Sequence, residues 1–135
     1  MQIGKVAVIG AGTMGNGIAH VFALAGFEVT LLDVKQELVD RGLGAIKKNM
    51  ERQVSKGIIT QDSLDAALSK IRTALNFGDA KSADSAVEAV FENPQAKTTV
   101  FRDLDGILPP HAILASNTSS ISITHLASAT KRPEK

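Results

Sequence analysis

The sequence predicts an α/β domain with a doubly wound parallel sheet, and three observations carry that expectation. Short apolar, β-branched runs of the kind that are buried on both faces of a sheet recur along the chain. Helix-period segments alternate with them from end to end, the order that a parallel sheet covered by helices on both faces requires. A glycine cluster, Gly10-Ala11-Gly12-Thr13-Met14-Gly15, closes the first apolar run and opens the first helical segment.

The first unit occupies residues 3–33. Ile3 to Ile9 reads as a buried strand, the glycine cluster has G-x-G-x-x-G spacing, and Ile18, Ala19, Phe22 and Ala23 give a helix closing at Gly26. A second strand, Glu28-Val29-Thr30-Leu31-Leu32, ends on Asp33. Gly10 permits the tight turn out of the strand, Gly12 lets a pyrophosphate approach the backbone, and Gly15 lets helix and sheet pack closely. Free amides of the loop, which also contains Ala11, Thr13 and Met14, act with the positive end of the helix dipole to hold phosphates. Asp33 stands where a carboxylate accepts both ribose hydroxyls of an adenosine and repels a 2′-phosphate, which favours NAD over NADP. The glycines alone are weak support. A strand before them, a helix after them and an acid at the end of the next strand make the signal specific for a Rossmann-type dinucleotide site.

Bulk properties narrow the class. At 135 residues the chain is expected to form one domain, residues 1–135, with a real core. A hydrophobic share of 44% fits a globular protein, and a net charge of +1 gives no electrostatic case for nucleic acid. The absence of cysteine excludes disulfides and thiolate metal sites, and no metal site is expected. No membrane span is read, and the glycine-interrupted N-terminus does not make a signal peptide, so the expected location is cytoplasmic.

Beyond Asp33 the chain departs from a minimal unit of this fold. Val39, Leu43, Ile46, Met50 and Val54 predict a long amphipathic helix ended by Gly57. Thr60 or Asp62 caps a second helix with Leu64, Ala67, Leu68 and Ile71 along its stripe. Together they predict a helical hairpin inserted after the second strand. Its outer surface carries Lys47, Lys48, Arg52 and Lys56, either a solvated face or one that meets an anionic ligand. Strands follow at residues 72–77, 85–91 and 112–115. Asn93-Pro94 opens a helix burying Val100, Phe101, Leu104 and Leu108, and Pro109-Pro110 stops it. Glu88 is an odd occupant of a central strand: it either lies near the cleft or is paired. The last strand opens into Ser116-Asn117-Thr118-Ser119-Ser120, at the sheet edge where ligands sit in open α/β folds, though small hydroxyls also satisfy an ordinary turn. A short helix is expected over residues 121–129.

Three segments in this order, Val8-Ile9-Gly10-Ala11-Gly12-Thr13-Met14-Gly15, Glu88-Ala89-Val90-Phe91-Glu92-Asn93 and Ser116-Asn117-Thr118-Ser119-Ser120, resemble the 3-hydroxyacyl-CoA dehydrogenases, and among them the bacterial 3-hydroxybutyryl-CoA dehydrogenases. The resemblance covers essentially the whole chain, hairpin included. It implies an oxidoreductase that interconverts L-3-hydroxyacyl-CoA and 3-oxoacyl-CoA with NAD. It implies Gly10, Gly12 and Gly15 at the dinucleotide, Asp33 at the adenosine ribose, Glu92 and Lys97 at the nicotinamide-side ribose, and Ser119 on the substrate's 3-oxygen. Asn117 lies in the same loop and is a weaker assignment. Ser85-Ala86 depart from the family's bulkier residues in this strand, which would weaken packing if the strand is central.

The resemblance also implies a catalytic histidine in a Gly-Met-His-Phe-like strand, the glutamate that orients it, and a helical domain that completes the acyl-CoA site and the homodimer, all beyond Lys135. The sheet is therefore expected to be incomplete at the C-terminus, with an exposed edge prone to self-association. Hydride transfer from an alcohol needs a base, and His20, His111 and His125 are poor substitutes. The 135 residues by themselves are expected to hold NAD(H) with little or no turnover. Two other readings stand beside this one: a non-catalytic nucleotide-binding module, and another Rossmann dehydrogenase of the 6-phosphogluconate or hydroxyisobutyrate type.

Overall fold

The computed structural model describes residues 2–135. Five parallel strands, β1 (Lys5–Ile9), β2 (Glu28–Leu32), β3 (Ile71–Ala74), β4 (Ser85–Glu88) and β5 (Ile113–Ser116), form one open sheet in the order β3-β2-β1-β4-β5. Strand order reverses at β1, so a crevice opens between the C-terminal ends of β1 and β4. In the register of the sheet Ile9 lies opposite both Leu32 and Glu88, and Glu88 lies opposite Ser116. The residues that follow these strands therefore gather on one edge.

The helices are α1 (Thr13–Leu24), α2 (Gln36–Ser55), α3 (Gln61–Ser69), α4 (Pro94–Ile107) and α5 (Ile123–Ser128). The pleat sends alternate residues of β1 to opposite faces. Val6 and Val8 join Ala19, Leu31, Val39, Ile46, Met50 and Leu64 under α1, α2 and α3. Ala7 and Ile9 join Leu32, Ala86, Val100, Leu104 and Leu108 on the face covered by α4. Each large aliphatic side chain buried this way contributes about 1.5–3 kcal/mol. The hairpin α2–α3 stands between β2 and β3 as expected, and Thr60 rather than Asp62 caps α3, its side chain accepting from the Ser63 amide. Gly42 of α2 sits so close to the first loop that a Cβ there would lie 2.7 Å from the Ala11 carbonyl oxygen.

Several boundaries move. The third strand starts at Ile71 and stops at Ala74, because its partner β2 ends at Leu32 and offers no further ladder. Phe77 opens a 3-10 turn, Phe77–Ala80, instead of closing the strand. The fourth strand ends at Glu88 rather than residue 91, since the Val90 amide turns back to the Glu88 carboxylate and leaves the ladder; Phe91 is 72% exposed. The last strand runs one residue later than expected, over Ile113–Ser116. Ser122, accepting from the His125 amide, delays the last helix to Ile123. Asn93 and Pro94 open α4 as read, with the Asn93 side chain accepting from Ala96. β4 lies inside the sheet, so Ser85 and Ala86 do bury less area there than larger residues would.

Beyond β5 the sheet is not closed. The Leu114 amide donates to the Lys135 carbonyl at 2.8 Å. Arg132 holds this tail down: its guanidinium donates to Asp105 Oδ1 and to the carbonyls of Asp105, Leu108, Pro109 and Ala112, satisfying acceptors that the end of α4 leaves open.

Candidate functional site

The glycine loop is built around two positions where only hydrogen fits. Gly10 has φ +106°, and a Cβ on it would lie 2.6 Å from the Ala89 carbonyl oxygen. A Cβ on Gly15 would lie 1.6 Å from the Gly10 carbonyl oxygen, so α1 can start where it does only with glycine there. Gly12 is different. It caps α1 with an ordinary negative φ, and apart from its two chain neighbours no residue has an atom within 4 Å of where its Cβ would be. The space above Gly12 is open, as required for a group that approaches the main chain.

The start of α1 is equally open. Thr60, Asn93 and Ser122 cap α3, α4 and α5 with their side chains, whereas α1 has no side-chain cap and no acid in its first turn. Its positive dipole end faces the crevice with no side chain bonded to its first amides. Two bonds fix the loop: the Gly10 amide donates to the Leu32 carbonyl at 2.8 Å, and the Ala11 amide to Asp33 Oδ2 at 2.8 Å. Asp33 also accepts from the Val34 amide at 2.7 Å. A carboxylate has about four lone-pair positions, which leaves two for a ligand. A groove of about 560 Å³ runs over Gly10, Gly12, Met14, Asp33, Ala89 and Phe91. Beside Asp33 a smaller apolar slot of about 100 Å³ is walled by Val34, Leu75, Phe77 and Val90.

Across the crevice the wall is made of charged side chains. Glu88 is fully buried and Lys97 is 2% exposed, with Lys97 Nζ 2.5 Å from Glu88 Oε2. Glu88 Oε2 also accepts from the Val90 amide, and Oε1 accepts from Ser116 Oγ at 2.6 Å. Lys97 donates in addition to the Val90 carbonyl and lies 3.6 Å from Glu92. Thr118 Oγ1 donates to Glu92 at 2.8 Å, and the Asn117 amide donates to the Glu88 carbonyl at 2.9 Å. The Thr118 hydroxyl, with the Lys97 ammonium and the Ser119 main chain, holds the Glu92 carboxyl below its usual range. Among the described residues no buried side-chain polar atom lacks a partner.

The sequence-predicted residues thus fall on one edge of the sheet. Gly10, Ala11, Gly12, Thr13, Met14, Gly15 and Asp33 form one side; Glu92, Asn117 and Ser119 are exposed on the other. Lys97 belongs to the second side but its ammonium points into the protein. Glu88, Ser116 and Thr118 join the site in the structure beyond the residues the sequence assigns to it, although an acid in an apolar strand is a legible sign of a built polar partner. The apolar slot was also missed, because its walls come from three separate segments. The histidines lie elsewhere: His20 is buried against Gln53, His111 pairs with Asp84, and His125 is exposed on α5. Lys47, Lys48 and Arg52 are exposed on α2, and Lys56 is exposed at its C-cap. Among the described residues no three His, Asp or Glu side chains are grouped to hold a metal, and no helix is long and apolar enough to cross a membrane.

An open sheet with its switch point at a glycine turn, an uncapped helix start and an acid one strand away defines a dinucleotide-binding α/β domain. The chain belongs to the NAD-binding domain family of the 3-hydroxyacyl-CoA dehydrogenases, whose profile, "3-hydroxyacyl-CoA dehydrogenase, NAD binding domain", matches residues 5–135. It is 50% identical over 133 residues to a 3-hydroxybutyryl-CoA dehydrogenase of Bradyrhizobium diazoefficiens, a match covering 98% of this chain and 45% of that protein. It is 45% identical to the fatty acid oxidation complex subunit alpha of Psychrobacter cryohalolentis, over 98% of this chain and 18% of that one. The crystal structure of (S)-3-hydroxybutyryl-CoA dehydrogenase from Ralstonia eutropha superposes with a TM-score of 0.95 at 38% identity, over 98% of this chain and 47% of that one. The chain spans about half the length, or less, of these relatives.

Proposed function

We propose that residues 1–135 are the cofactor-holding unit of an enzyme that interconverts L-3-hydroxyacyl-CoA and 3-oxoacyl-CoA, with the four-carbon 3-hydroxybutyryl and acetoacetyl thioesters as the substrate pair. The observation that carries the reading is the glycine loop: Gly10 and Gly15 are forced by the protein's own packing, whereas Gly12 borders open space beneath an uncapped helix. That arrangement suits a diphosphate, held by the amides of residues 12–15. Asp33 then takes the adenosine ribose, and the slot between Val34 and Leu75 takes the purine. Glu92 meets the nicotinamide-side ribose, Lys97 stands behind it, and Ser119 directs the substrate's 3-oxygen, with Asn117 in the same loop.

NAD held over Gly12 and Asp33 would supply the hydride-transfer chemistry between the alcohol and the ketone. The proton of the hydroxyl needs a base; His20 bonds Gln53, His111 bonds Asp84 at the other end of the strands, and no histidine lines the groove over Gly12. The 135 residues therefore bind NAD(H) and turn over little or no acyl-CoA. In a protein of the relatives' length, the other half would complete the acyl-CoA site and the homodimer contact, and the whole would work in the cytoplasm.

Fluorescence titration of NADH and NADPH tests the cofactor reading. The wild-type chain should prefer NADH, and Asp33→Ala should lower NADH affinity about tenfold and narrow the preference, the size of one lost charge-assisted bond. An unchanged preference would remove Asp33 from the site. Steady loss of nicotinamide absorbance on adding acetoacetyl-CoA and NADH would show that a base is present after all.

A further inference from the structure

The reach of one buried carboxylate across two loops is what the assignments above leave unexplained. Glu88 ends β4, has no solvent exposure, and makes bonds in three directions: Ser116 Oγ at the end of β5, the Val90 amide in the loop after β4, and Lys97 Nζ on α4. Its own carbonyl accepts from the Asn117 amide. Through Ser116, whose Oγ accepts from the Thr118 amide, it reaches the loop that carries Ser119. Through Lys97 it reaches Glu92, and Thr118 closes the circuit by donating to Glu92. A buried charge is costly unless paired and fully hydrogen-bonded, and stability alone is served as well by apolar side chains of similar volume. A carboxylate bonded to three elements at once instead fixes their relative placement.

We propose that Glu88 is a positioning residue that locks the loop after β4 to the loop after β5, and so sets the distance between the Glu92 carboxylate and the Ser119 hydroxyl. Lys97 is its counter-ion and relay to Glu92, with its ammonium bonded to Glu88 and the Val90 carbonyl. This inference rests on the NAD reading of the crevice and deepens it: the half of the cleft that receives the second ribose is held in shape from below by a residue that never touches the cofactor. The first half, built on Gly10, Gly15 and Asp33, does not depend on Glu88.

The test separates the two halves by ligand. ADP fills only the adenosine side, and ADP-ribose adds the ribose that Glu92 is to meet. Glu88→Gln leaves Lys97 with only the more distant Glu92 as counter-charge, so Glu88→Gln/Lys97→Met, which removes both charges of the buried pair, serves as the folded control. NMR titration of the double variant should give ADP affinity within about twofold of wild type and ADP-ribose affinity about tenfold weaker, the size of a lost charged hydrogen bond. Without ligand, amide exchange should speed up in residues 91–93 and 117–120 and stay unchanged in residues 10–15. A double variant that keeps both the wild-type ADP-ribose to ADP ratio and slow exchange in the two loops would overturn the proposal. Loss of ADP binding by the wild-type chain would instead overturn the NAD reading, and the exchange data would still decide the role of Glu88. Ser116→Ala, which cuts one arm only, should loosen residues 117–120 while residues 91–93 keep wild-type exchange.

Discussion

Between β1 and α1 the wall of the crevice is main chain: glycines forced into place, bare amides, and one aspartate bonded to the loop it faces. Between β4 and β5 it is side chain: a buried acid, its lysine, a second acid at the surface and two hydroxyls. The difference lies in how each wall can fail. Backbone geometry is intolerant of added atoms but indifferent to charge. The polar circuit tolerates modest changes of shape but not the loss of one charge, because the remaining partner stays buried.

Substitutions that add one carbon test the first wall. Gly15→Ala, which puts a Cβ against the Gly10 carbonyl, should cost at least about 4 kcal/mol or prevent folding, as overpacking against rigid backbone does. Gly12→Ala should leave the thermal midpoint within about 2 °C of wild type, since its Cβ meets nothing in the protein, while NADH binding is lost. If both variants unfold alike, Gly12 is structural and the open space above it has no role.

A charge deletion tests the second wall. Lys97→Met strands Glu88 and should cost about 3–5 kcal/mol in urea unfolding, with much of the loss recovered when Glu88→Gln is added. Equal stability of the single and double variants would mean that the pair is screened rather than buried.

The smallest effect is expected at the opposite end of the strands, where Asp84 accepts from the Gly4 and Lys5 amides and pairs with His111. The bond to His111, then those amides, lower the Asp84 pKa to about 2. A carboxyl lowered by folding stabilises the protein above its unfolded value of 3.8, and that contribution is lost as pH falls from about 4 toward 2. Asp84→Asn should flatten the thermal midpoint against pH over that interval and leave NADH affinity at neutral pH unchanged. A shift in NADH affinity would show that the two ends of the strands are coupled.

The first wall was legible from the sequence because its residues are contiguous and their spacing is dictated by backbone sterics: Gly10, Gly12, Gly15 and Asp33 lie within one βαβ unit. On the second wall Glu92, Lys97 and Ser119 are legible only by resemblance, Glu88 only as an odd acid in an apolar strand, and Ser116 and Thr118 only as part of a hydroxyl-rich loop. Glu88, Lys97, Ser116 and Thr118 come from β4, α4, β5 and the loop after β5, and nothing in local periodicity says that a lysine on α4 turns inward to meet an acid on β4. The strand ends at Ala74 and Glu88 were misplaced for the same reason. Apolar residues such as Leu75 and Phe91 extend the pattern, but the ladder stops where its partner strand or a side-chain acceptor stops it.

Gly42 ties the helical insertion to the first wall. With 2.7 Å between its missing Cβ and the Ala11 carbonyl oxygen, α2 presses on the rear of the loop that faces the crevice. The twenty-residue helix is in this respect a backstop, and whatever tilts the hairpin, including a load on its lysine-rich outer surface, would be felt at the turn it leans on.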